Sequence, residues 1–309
     1  MVAFRAACCA VLVGLMGVSG AAFAAPKRPA ITGVSHIAIY AADPAASERF
    51  YTHGLGAIKT ADPESAAGVR YAFSDQQFVQ ILPRPDASIN RLDHISFVTA
   101  DAEALRAYLA SRKQEVPKAV SKGTDGSLYF SLLDPEGNRV EFVQLPAAPA
   151  RIAPNPISGH IIHVGLIIHD RARADAFYRE ILGFKPYWYG GFEEDKPTWI
   201  SLQVPDGTDW IEYMVVDPKD GRGIPSGMSQ KTAGILNHFA LGVPDIRQTY
   251  TRLWNEKRLE GQDELPKIGR DAKWQLNLYD PDGTRAEIME LKAIGEPCCS
   301  PFTASDPVK

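Results

Sequence analysis

The sequence has 309 residues, of which 45% are hydrophobic and 23% charged, and its formal net charge is −4. This length suits one large or two ordinary domains, and the hydrophobic fraction can bury a core, so the composition excludes an intrinsically disordered chain. The slight acidity and the absence of basic clusters interleaved with aromatic residues speak against a nucleic-acid partner.

The N-terminal segment differs in composition from the rest. Arg5 is followed by an apolar run over residues 6–18, and small residues then lead to Ala22-Phe23-Ala24-Ala25-Pro26. This order is typical of a signal peptide with a cleavage site after Ala24. We therefore expect residues 1–24 to be removed and the mature protein to be periplasmic or secreted, without a membrane anchor. An uncleaved anchor is the alternative, because the apolar stretch nearly reaches spanning length.

The mature chain begins with a unit that recurs later. A short apolar strand around His36 leads to Asp43, which is expected to cap a helix that contains Phe50 and ends near Gly56. A second copy follows the same intervals without a gap, with its histidine, aspartate, phenylalanine and glycine at His163, Asp170, Phe177 and Gly183. Agreement at this many positions indicates an internal repeat.

Two further units begin with His94 and His238. Each leads through an aspartate into a predicted helix, over Ala102–Arg112 in one and Ile246–Lys257 in the other. Each ends in an Asp-Pro-x-Gly turn, which favours type I geometry. A glutamate follows seven residues after the aspartate of each turn, as Glu141 after Asp134 and Glu287 after Asp280.

The chain is therefore predicted to consist of four βαβββ modules arranged as two pairs. The first pair covers residues 31–145 and the second pair residues 157–291, with a Pro-rich linker over 146–156 between them. A tail rich in Pro, Ser and Cys follows over 292–309. Its adjacent Cys298 and Cys299 are too few for a disulfide framework, and their role is left open.

Modules with a histidine in the first strand and a glutamate in the last resemble the vicinal oxygen chelate superfamily. Its members include glyoxalase I, the bleomycin resistance proteins and the extradiol dioxygenases. The resemblance implies an α+β fold in which each pair of modules forms a U-shaped mixed sheet with outer helices. Modules of such proteins pair either with their neighbour or in a swapped order. We favour neighbours, because this separates one complete ligand set from one incomplete set.

The resemblance places metal ligands in the first and last strands of each module. The second pair then has a complete set, consisting of His163, Glu212, His238 and Glu287. The first pair has His36, His94 and Glu141, but Gln80 where a glutamate is expected, so this set is predicted to be degenerate or structural. Imidazoles and carboxylates in this combination suit a divalent Fe, Zn, Ni, Mn or Co ion with an open position for a substrate.

Two reactions of the superfamily compete. In a glyoxalase-like site, Glu212 or Glu287 would move a proton between neighbouring carbons while the metal polarises a carbonyl group. In an extradiol dioxygenase, His163, His238 and Glu287 would hold Fe(II) for a catechol and oxygen. That family also expects an acid–base histidine, and no histidine follows His238.

We therefore expect an exported, metal-dependent lyase or isomerase acting on a small oxygenated substrate. A dioxygenase and a non-catalytic small-molecule-binding protein are the alternatives, and the chain is expected to be a monomer or homodimer. Aromatic residues of the second pair are predicted to line the substrate pocket: Trp188, Tyr189, Trp199, Trp210 and Trp274. The Gly/Pro/Ser-rich segment Asp217–Gly234 is either a lid over the metal or an exposed connection.

Overall fold

The computed structural model describes Met1 and residues 26–84, 90–216 and 236–308. The expected signal peptide beyond Met1 and the segment Asp217–Gly234 lie outside the described residues. No helix within the described ranges is both long and apolar enough to cross a membrane.

The first pair of modules forms one curled, mixed sheet of eight strands in the order β2-β3-β4-β1-β5-β8-β7-β6. Its strands are β1 (Ile31–Ala41), β2 (Ile58–Ala61), β3 (Val69–Ala72), β4 (Phe78–Pro83), β5 (Leu92–Thr99), β6 (Ser121–Lys122), β7 (Leu128–Leu133) and β8 (Arg139–Gln144).

The second pair forms an equivalent sheet in the order β10-β11-β12-β9-β13-β16-β15-β14. Its strands are β9 (Ile161–Ile168), β10 (Lys185–Gly190), β11 (Trp199–Gln203), β12 (Trp210–Val215), β13 (Leu236–Val243), β14 (Lys267–Ile268), β15 (Trp274–Tyr279) and β16 (Arg285–Glu290). In each sheet the first strands of two consecutive modules pair antiparallel at the centre. The modules thus pair with their neighbours, and the predicted α+β fold of two module pairs is confirmed.

Each module carries one helix after its first strand. These are α1 (Pro44–Glu48), α2 (Ala102–Ser111), α3 (Arg171–Asp175) and α4 (Ile246–Asn255); α1 and α3 continue as π-helical segments over Arg49–Gly54 and Ala176–Ile181. The aspartate before each helix accepts hydrogen bonds from backbone N–H groups of the first turn, as predicted. Helices α2 and α4 end slightly before the predicted Arg112 and Lys257, because the chain leaves helical geometry at Lys113 and Lys257, whose φ angles are 62° and 55°.

The Asp-Pro-x-Gly turns also join the two pairs of modules. The Tyr51 hydroxyl donates to Asp280 Oδ2 at 3.1 Å, and the Tyr178 hydroxyl donates to Asp134 Oδ2 at 2.9 Å. Both bonds are buried and both cross between the pairs, so each pair supplies one tyrosine and one aspartate. A single hydrophobic core extends across both sheets around these contacts. The two metal-ligand sets are therefore carried by one continuous framework.

The C-terminal tail packs along the second sheet. The buried Lys273 ammonium donates to Asp306 Oδ1 at 2.8 Å, to the Tyr187 hydroxyl and to a backbone carbonyl. Ser300 Oγ accepts from the backbone N–H of Tyr189 at 2.9 Å. Cys298 and Cys299 are joined to each other by a disulfide. The tail thus belongs to the folded structure, although its sequence has no periodicity.

Candidate metal centres

The strand register of the second sheet gathers the predicted ligands on one face. Ala240 lies opposite His163 in the antiparallel β9–β13 pair and beside Glu287 in the parallel β13–β16 pair. His238 is two residues before Ala240 and therefore points to the same face, because side chains alternate along a strand. Glu212 reaches this face as the partner of Gly165, two residues after His163.

Three of these side chains converge closely. The Nε2 atoms of His163 and His238 lie 2.7 Å apart, and Glu287 Oε2 lies 3.4 Å from the first and 3.5 Å from the second. One ligand atom of each residue lies within 4.8 Å of the other two. Glu212 Oε2 is 3.4 Å from His238 Nε2 but is not a member of this mutually close group. The set is therefore two histidines and one carboxylate, with a second carboxylate at its edge.

The surroundings of the second set keep its two histidines neutral and Glu287 ionised. Burial lowers the pKa of His163, and burial together with the nearby Arg285 lowers the pKa of His238 well below its usual value, which keeps both rings neutral. Burial opposes ionisation of Glu287, but His163 and Arg285 outweigh it and lower its pKa. Burial and the neighbouring Glu287 raise the pKa of Glu212 to about 8. The set thus combines an ionised carboxylate with one that can carry a proton near neutral pH.

This donor set fits a divalent transition metal. Neutral imidazole nitrogens and a carboxylate oxygen are the ligands that Fe, Zn, Mn, Co and Ni accept in proteins. The buried Nε2 atoms of His163 and His238 face each other beside the Glu287 carboxylate. Two neutral rings can share only one proton between these atoms, whereas a cation could accept an electron pair from each of the three residues.

Two residues of the sheet shape the second set. A Cβ atom at Gly165 would lie 2.2 Å from His238 Cε1, so the histidine can pass the β9 backbone only because residue 165 is glycine. The indole of Trp210 stacks on the His163 ring, with the ring centres 4.4 Å apart. These contacts fix the positions of both imidazoles.

The first sheet brings together an equivalent set with an additional member. The Nε2 atoms of His36 and His94 lie 2.9 Å apart, and the Glu141 carboxylate lies 3.5 Å from the first and 3.9 Å from the second. Glu64, from the connection between β2 and β3, joins them to give four residues with ligand atoms within 4.8 Å of one another. The sequence did not reveal Glu64, because it lies outside the repeated strand positions.

Gln80 occupies the predicted place on the ligand face of the first sheet. It is the register partner of Ala38, two residues after His36. Its side-chain N–H donates to Asp62, while its Oε1 is buried without a hydrogen-bond partner. The prediction of a degenerate first set depended on Gln80 alone. Glu64 now provides the second carboxylate that Gln80 does not.

In the first set the pKa values of the two histidines shift in opposite directions, whereas both are lowered in the second set. Burial and the neighbouring His94 lower the pKa of His36 well below its usual value. Burial also opposes protonation of His94, but Glu141 and Asp93 outweigh it and raise the pKa. Burial and the charge of Glu141 raise the pKa of Glu64 to about 7. Two carboxylates close together disfavour ionisation of both, and a bound cation would relieve this repulsion.

The five aromatic residues predicted to bind substrate occupy different places. Trp210 contacts His163 as described. Trp188 donates from its indole N–H to the carbonyl of Cys298 beneath the tail, and Tyr189 is 44% exposed. Trp199 packs against Phe192. Of these five aromatic residues, all within the described ranges, Trp210 is the one that stacks on a predicted metal-ligating residue, His163.

Trp274 lies on the other face of the second sheet. Trp274 lies three positions before Asn277, the register partner of Glu287, so the side chains of Trp274 and Asn277 point to opposite faces. Trp274 lines a cavity of about 570 Å³ together with Tyr250 of α4. Asn277 is buried on the ligand face, and its Oδ1 has no hydrogen-bond partner. The sequence analysis missed Asn277, although its position opposite Glu287 in the hairpin could have indicated it.

The remaining histidines have partners away from both sets. His160 contacts Asp209 at 2.7 Å, His169 contacts Glu136 at 3.0 Å, and His53 contacts the carbonyl of Lys257 at 3.1 Å. The chain has seven histidines, all within the described ranges, and four of them form the two sets. None of the other three is in contact with the second set.

The fold and these ligand sets define a class of protein. The family model for the Glyoxalase/Bleomycin resistance protein/Dioxygenase superfamily matches residues 33–142 and 160–288, one match for each pair of modules. The chain therefore belongs to this superfamily. No curated protein sequence matches the chain.

Several solved structures share the fold. The Mn(II)-bound glyoxalase from Novosphingobium aromaticivorans is 18% identical, with a TM-score of 0.65 over 85% of this chain and 83% of that chain. Homoprotocatechuate 2,3-dioxygenase from Brevibacterium fuscum, in complex with 3,4-dihydroxyphenylacetate, is 16% identical, with a TM-score of 0.62 over 89% and 86% of the two chains. The 2,3-dioxygenase LapB from Pseudomonas sp. KL28 is 15% identical, with a TM-score of 0.64 over 91% and 98%. At these identities the likeness establishes the fold and leaves the reaction open.

Proposed function

We propose that the protein is an exported, metal-dependent enzyme of the glyoxalase type, which moves a proton between neighbouring carbons of a small oxygenated substrate. The reaction takes place at the second ligand set, His163, His238 and Glu287, with Glu212 beside it. The observation that carries the proposal is the second carboxylate, Glu212, whose side chain is 16% exposed and whose Oε2 lies 3.4 Å from His238 Nε2 without joining the mutually close group.

The two carboxylates have different tasks. Glu287 lies close to both imidazoles and has a lowered pKa, so it serves as a ligand. A divalent metal at these residues would polarise a substrate carbonyl and stabilise the negative charge that develops on its oxygen. Glu212 has a pKa raised to about 8 and can accept a proton from a carbon beside that carbonyl and return it to the neighbouring carbon.

The surroundings of Glu212 support this task. Ser201 Oγ donates to Glu212 Oε1 at 3.4 Å, which holds one carboxylate oxygen and leaves the other directed toward His238. The Glu212 side chain is 16% exposed, so water can renew its proton between turnovers while the substrate occupies the site.

Ring cleavage of a catechol is the second candidate. It is favoured by one observation, namely that the mutually close group in the second pair contains two histidines and one glutamate, the pattern of many Fe(II) oxygenases. The neighbours of known structure include 2,3-dioxygenases. One observation speaks against ring cleavage. The three remaining histidines have their partners away from the second set, so none of them is available there as the acid–base group.

Metal analysis of anaerobically purified protein, followed by turnover measurements, separates the two candidates. We expect Ni, Zn, Mn or Co, or iron without oxygen consumption, and turnover that does not depend on oxygen. Iron together with oxygen uptake in the presence of catechols would contradict the proposal. A protein that binds ligands without any metal would instead belong with the non-catalytic binding proteins.

Export is a separate part of the proposal. It is supported by the apolar run after Arg5 and the small residues that end at Ala24. Fractionation of the native host and N-terminal sequencing of the mature protein test it. We expect a new N-terminus at Ala25 in an exported fraction, and an intact N-terminus in the cytosol would contradict this expectation.

A further inference from the structure

In the first pair, each histidine of the ligand set contacts a second polar side chain through its Nδ1 atom, on the side of the ring away from the set. His94 Nδ1 lies 2.7 Å from Asp93 Oδ2. The Tyr40 hydroxyl also donates to Asp93, and a carboxylate can only accept, so His94 Nδ1 must be the donor. In the neutral ring this leaves the lone pair on Nε2, which faces His36 and Glu141. A carboxylate behind a histidine is the arrangement that orients metal ligands in proteins.

Two serines complete these surroundings. Ser35 Oγ lies 3.1 Å from His36 Nδ1, and Ser96 Oγ donates to Glu141 Oε1 at 2.9 Å. Three of the four members of the set are therefore held by a neighbouring polar side chain. The fourth, Glu64, is held by Arg70, whose Nη2 donates to Glu64 Oε1 at 2.7 Å.

In the second pair, Nδ1 of His238 contacts a hydrogen-bond donor, whereas Nδ1 of His94 contacts an acceptor. Arg285 Nη2 lies 2.7 Å from His238 Nδ1. A guanidinium group can only donate, so His238 Nδ1 is the acceptor, and the proton of the neutral ring lies on Nε2, directed at the centre of the ligand set. A metal can bind Nε2 only if this proton shifts to Nδ1, which requires Arg285 to move away. Arg139 is the equivalent of Arg285 in the first pair, and it donates to Asp93 at 3.2 Å instead.

The two serines of the first set have no counterpart in the second. Ile162 stands at the position of Ser35, and Ala240 at the position of Ser96, and neither side chain can form a hydrogen bond. His163 Nδ1 is accordingly buried without a hydrogen-bond partner. The two sets therefore have similar ligands but different support.

We propose that the first pair of modules holds its own divalent metal ion through His36, Glu64, His94 and Glu141, and binds it more tightly than the second pair binds its metal. Four protein ligands leave fewer open positions than three, which suits a structural ion rather than a catalytic one. The proposal concerns the pair of modules that the proposed reaction does not use, so it goes beyond the proposed function.

Equilibrium dialysis of metal-free protein against Zn(II) or Mn(II), with metal content measured by mass spectrometry, tests the proposal. We expect two ions per chain in two affinity classes. Glu64→Gln and Asp93→Asn should each weaken the tight class by about 10- to 100-fold, the range found for residues that orient metal ligands. Arg285→Met should strengthen the weak class and leave the tight class unchanged. Circular dichroism of each metal-free variant verifies that the fold is retained.

The variants distinguish this proposal from the proposed function. A single class of site that is lost in Glu287→Gln and unaffected by Glu64→Gln and Asp93→Asn would overturn the proposal and leave the proposed function intact. A single class that is lost in Glu64→Gln and retained in Glu287→Gln would support the first site and contradict a metal at the second. Equal metal affinities of the two sites would overturn the proposal that the first pair binds its ion more tightly.

Discussion

Glu287 is the carboxylate on which the second ligand set depends. It lies within 3.5 Å of both imidazoles and is buried between the buried apolar residues Ala286 and Ile288 of the same strand. A buried carboxylate is costly unless it is paired or bound to a metal. Its position is therefore explained by the two histidines and the ion they would share.

The substitution Glu287→Gln should lower the metal occupancy of the second set several-fold, because an amide is a neutral and weaker ligand of the same size. Glu290→Gln is a matched control on the same strand. It points to the opposite face, where Glu290 Oε1 accepts from the backbone N–H of Ile246, and a glutamine keeps that acceptor. Metal content of both variants after reloading provides the measurement. Equal occupancy in the two would remove Glu287 from the ligands.

The absence of a side chain at residue 165 is as important as the ligands themselves. Gly165→Ala would place a Cβ atom 2.2 Å from His238 Cε1, so the imidazole must move. We expect a loss of metal affinity at the second set of at least about tenfold, the size of effect seen when the orientation of a ligand is disturbed. Ala38→Gly, at the equivalent position of the first sheet, should leave that set nearly unchanged. Calorimetric titration with Zn(II) measures both, and unchanged affinity in Gly165→Ala would contradict the described geometry.

At the scale of elements, the Asp-Pro-x-Gly turns have two tasks. Asp280 Oδ1 accepts from the backbone N–H groups of Asp282 and Thr284, which closes the turn before β16. Its Oδ2 accepts from the Tyr51 hydroxyl of the other pair of modules. The same aspartate thus directs the strand that carries Glu287 and joins the two pairs.

The buried Asp280 should make stability depend on pH. Burial raises its pKa to about 6, compared with about 3.9 in an unfolded chain. Below about pH 4 the group is protonated in both states, and between about pH 4 and 6 only the unfolded chain ionises. Its contribution to the free energy of unfolding therefore falls as the pH rises, by about 3 kcal/mol in total, and is constant above about pH 6.

Asp280→Asn should reduce this dependence. Urea unfolding of metal-free protein at several pH values between about 4 and 7 measures it, with the exposed Asp263→Asn as the control. We expect the asparagine variant to lose less stability over this range than the control. The same slope in both proteins would show that Asp280 ionises as readily in the folded chain as in the unfolded one.

The elements also differ in how well the sequence predicts them. The four helices and their capping aspartates follow from short-range patterns. The repeat identifies the modules but allows two pairings, and the preference for neighbours, which the sheet order confirms, rested on the unequal ligand sets. The buried bonds between Tyr51 and Asp280 and between Tyr178 and Asp134 do not, because they join residues 229 and 44 positions apart. The sequence identifies these aspartates as turn residues, and only the packing of the two pairs reveals their second role.

The sequence also predicts only those members of the ligand sets that occupy repeated positions. His163, His238 and Glu287 occupy repeated positions, so comparison of the modules finds them. Glu64 belongs to a connection that the repeat does not align. Gln80 therefore made the first set seem incomplete, while a residue 16 positions earlier in the chain provides the carboxylate.

At the scale of the whole molecule, the tail stabilises the second sheet. The Lys273 side chain is fully buried between Tyr187, Trp210 and Phe302, and Asp306 of the tail is the carboxylate that pairs with it. Trp210 in turn stacks on His163. The tail is therefore connected to the ligand set through one lysine and one indole ring.

Removing the charge of Asp306 should destabilise the protein. Asp306→Asn leaves the buried ammonium without its anionic partner, and we expect the free energy of unfolding to fall by about 1–3 kcal/mol. Glu296→Gln removes a charge from an exposed residue of the same tail and should change stability by less than about 0.5 kcal/mol. Urea unfolding of both variants measures the difference. Equal stabilities would contradict the role assigned to the Lys273–Asp306 pair.

The most direct test of the account is proton exchange on a small hydroxy-ketone such as dihydroxyacetone, followed by NMR in deuterated water without oxygen. The metal-loaded protein should exchange the hydrogen beside the carbonyl group, and Glu212→Gln should lower the exchange rate by about 100-fold or more, the usual contribution of a general base. Unchanged exchange in Glu212→Gln, or an exchange-inactive protein that consumes oxygen with a catechol, would contradict proton transfer by Glu212 at the second ligand set.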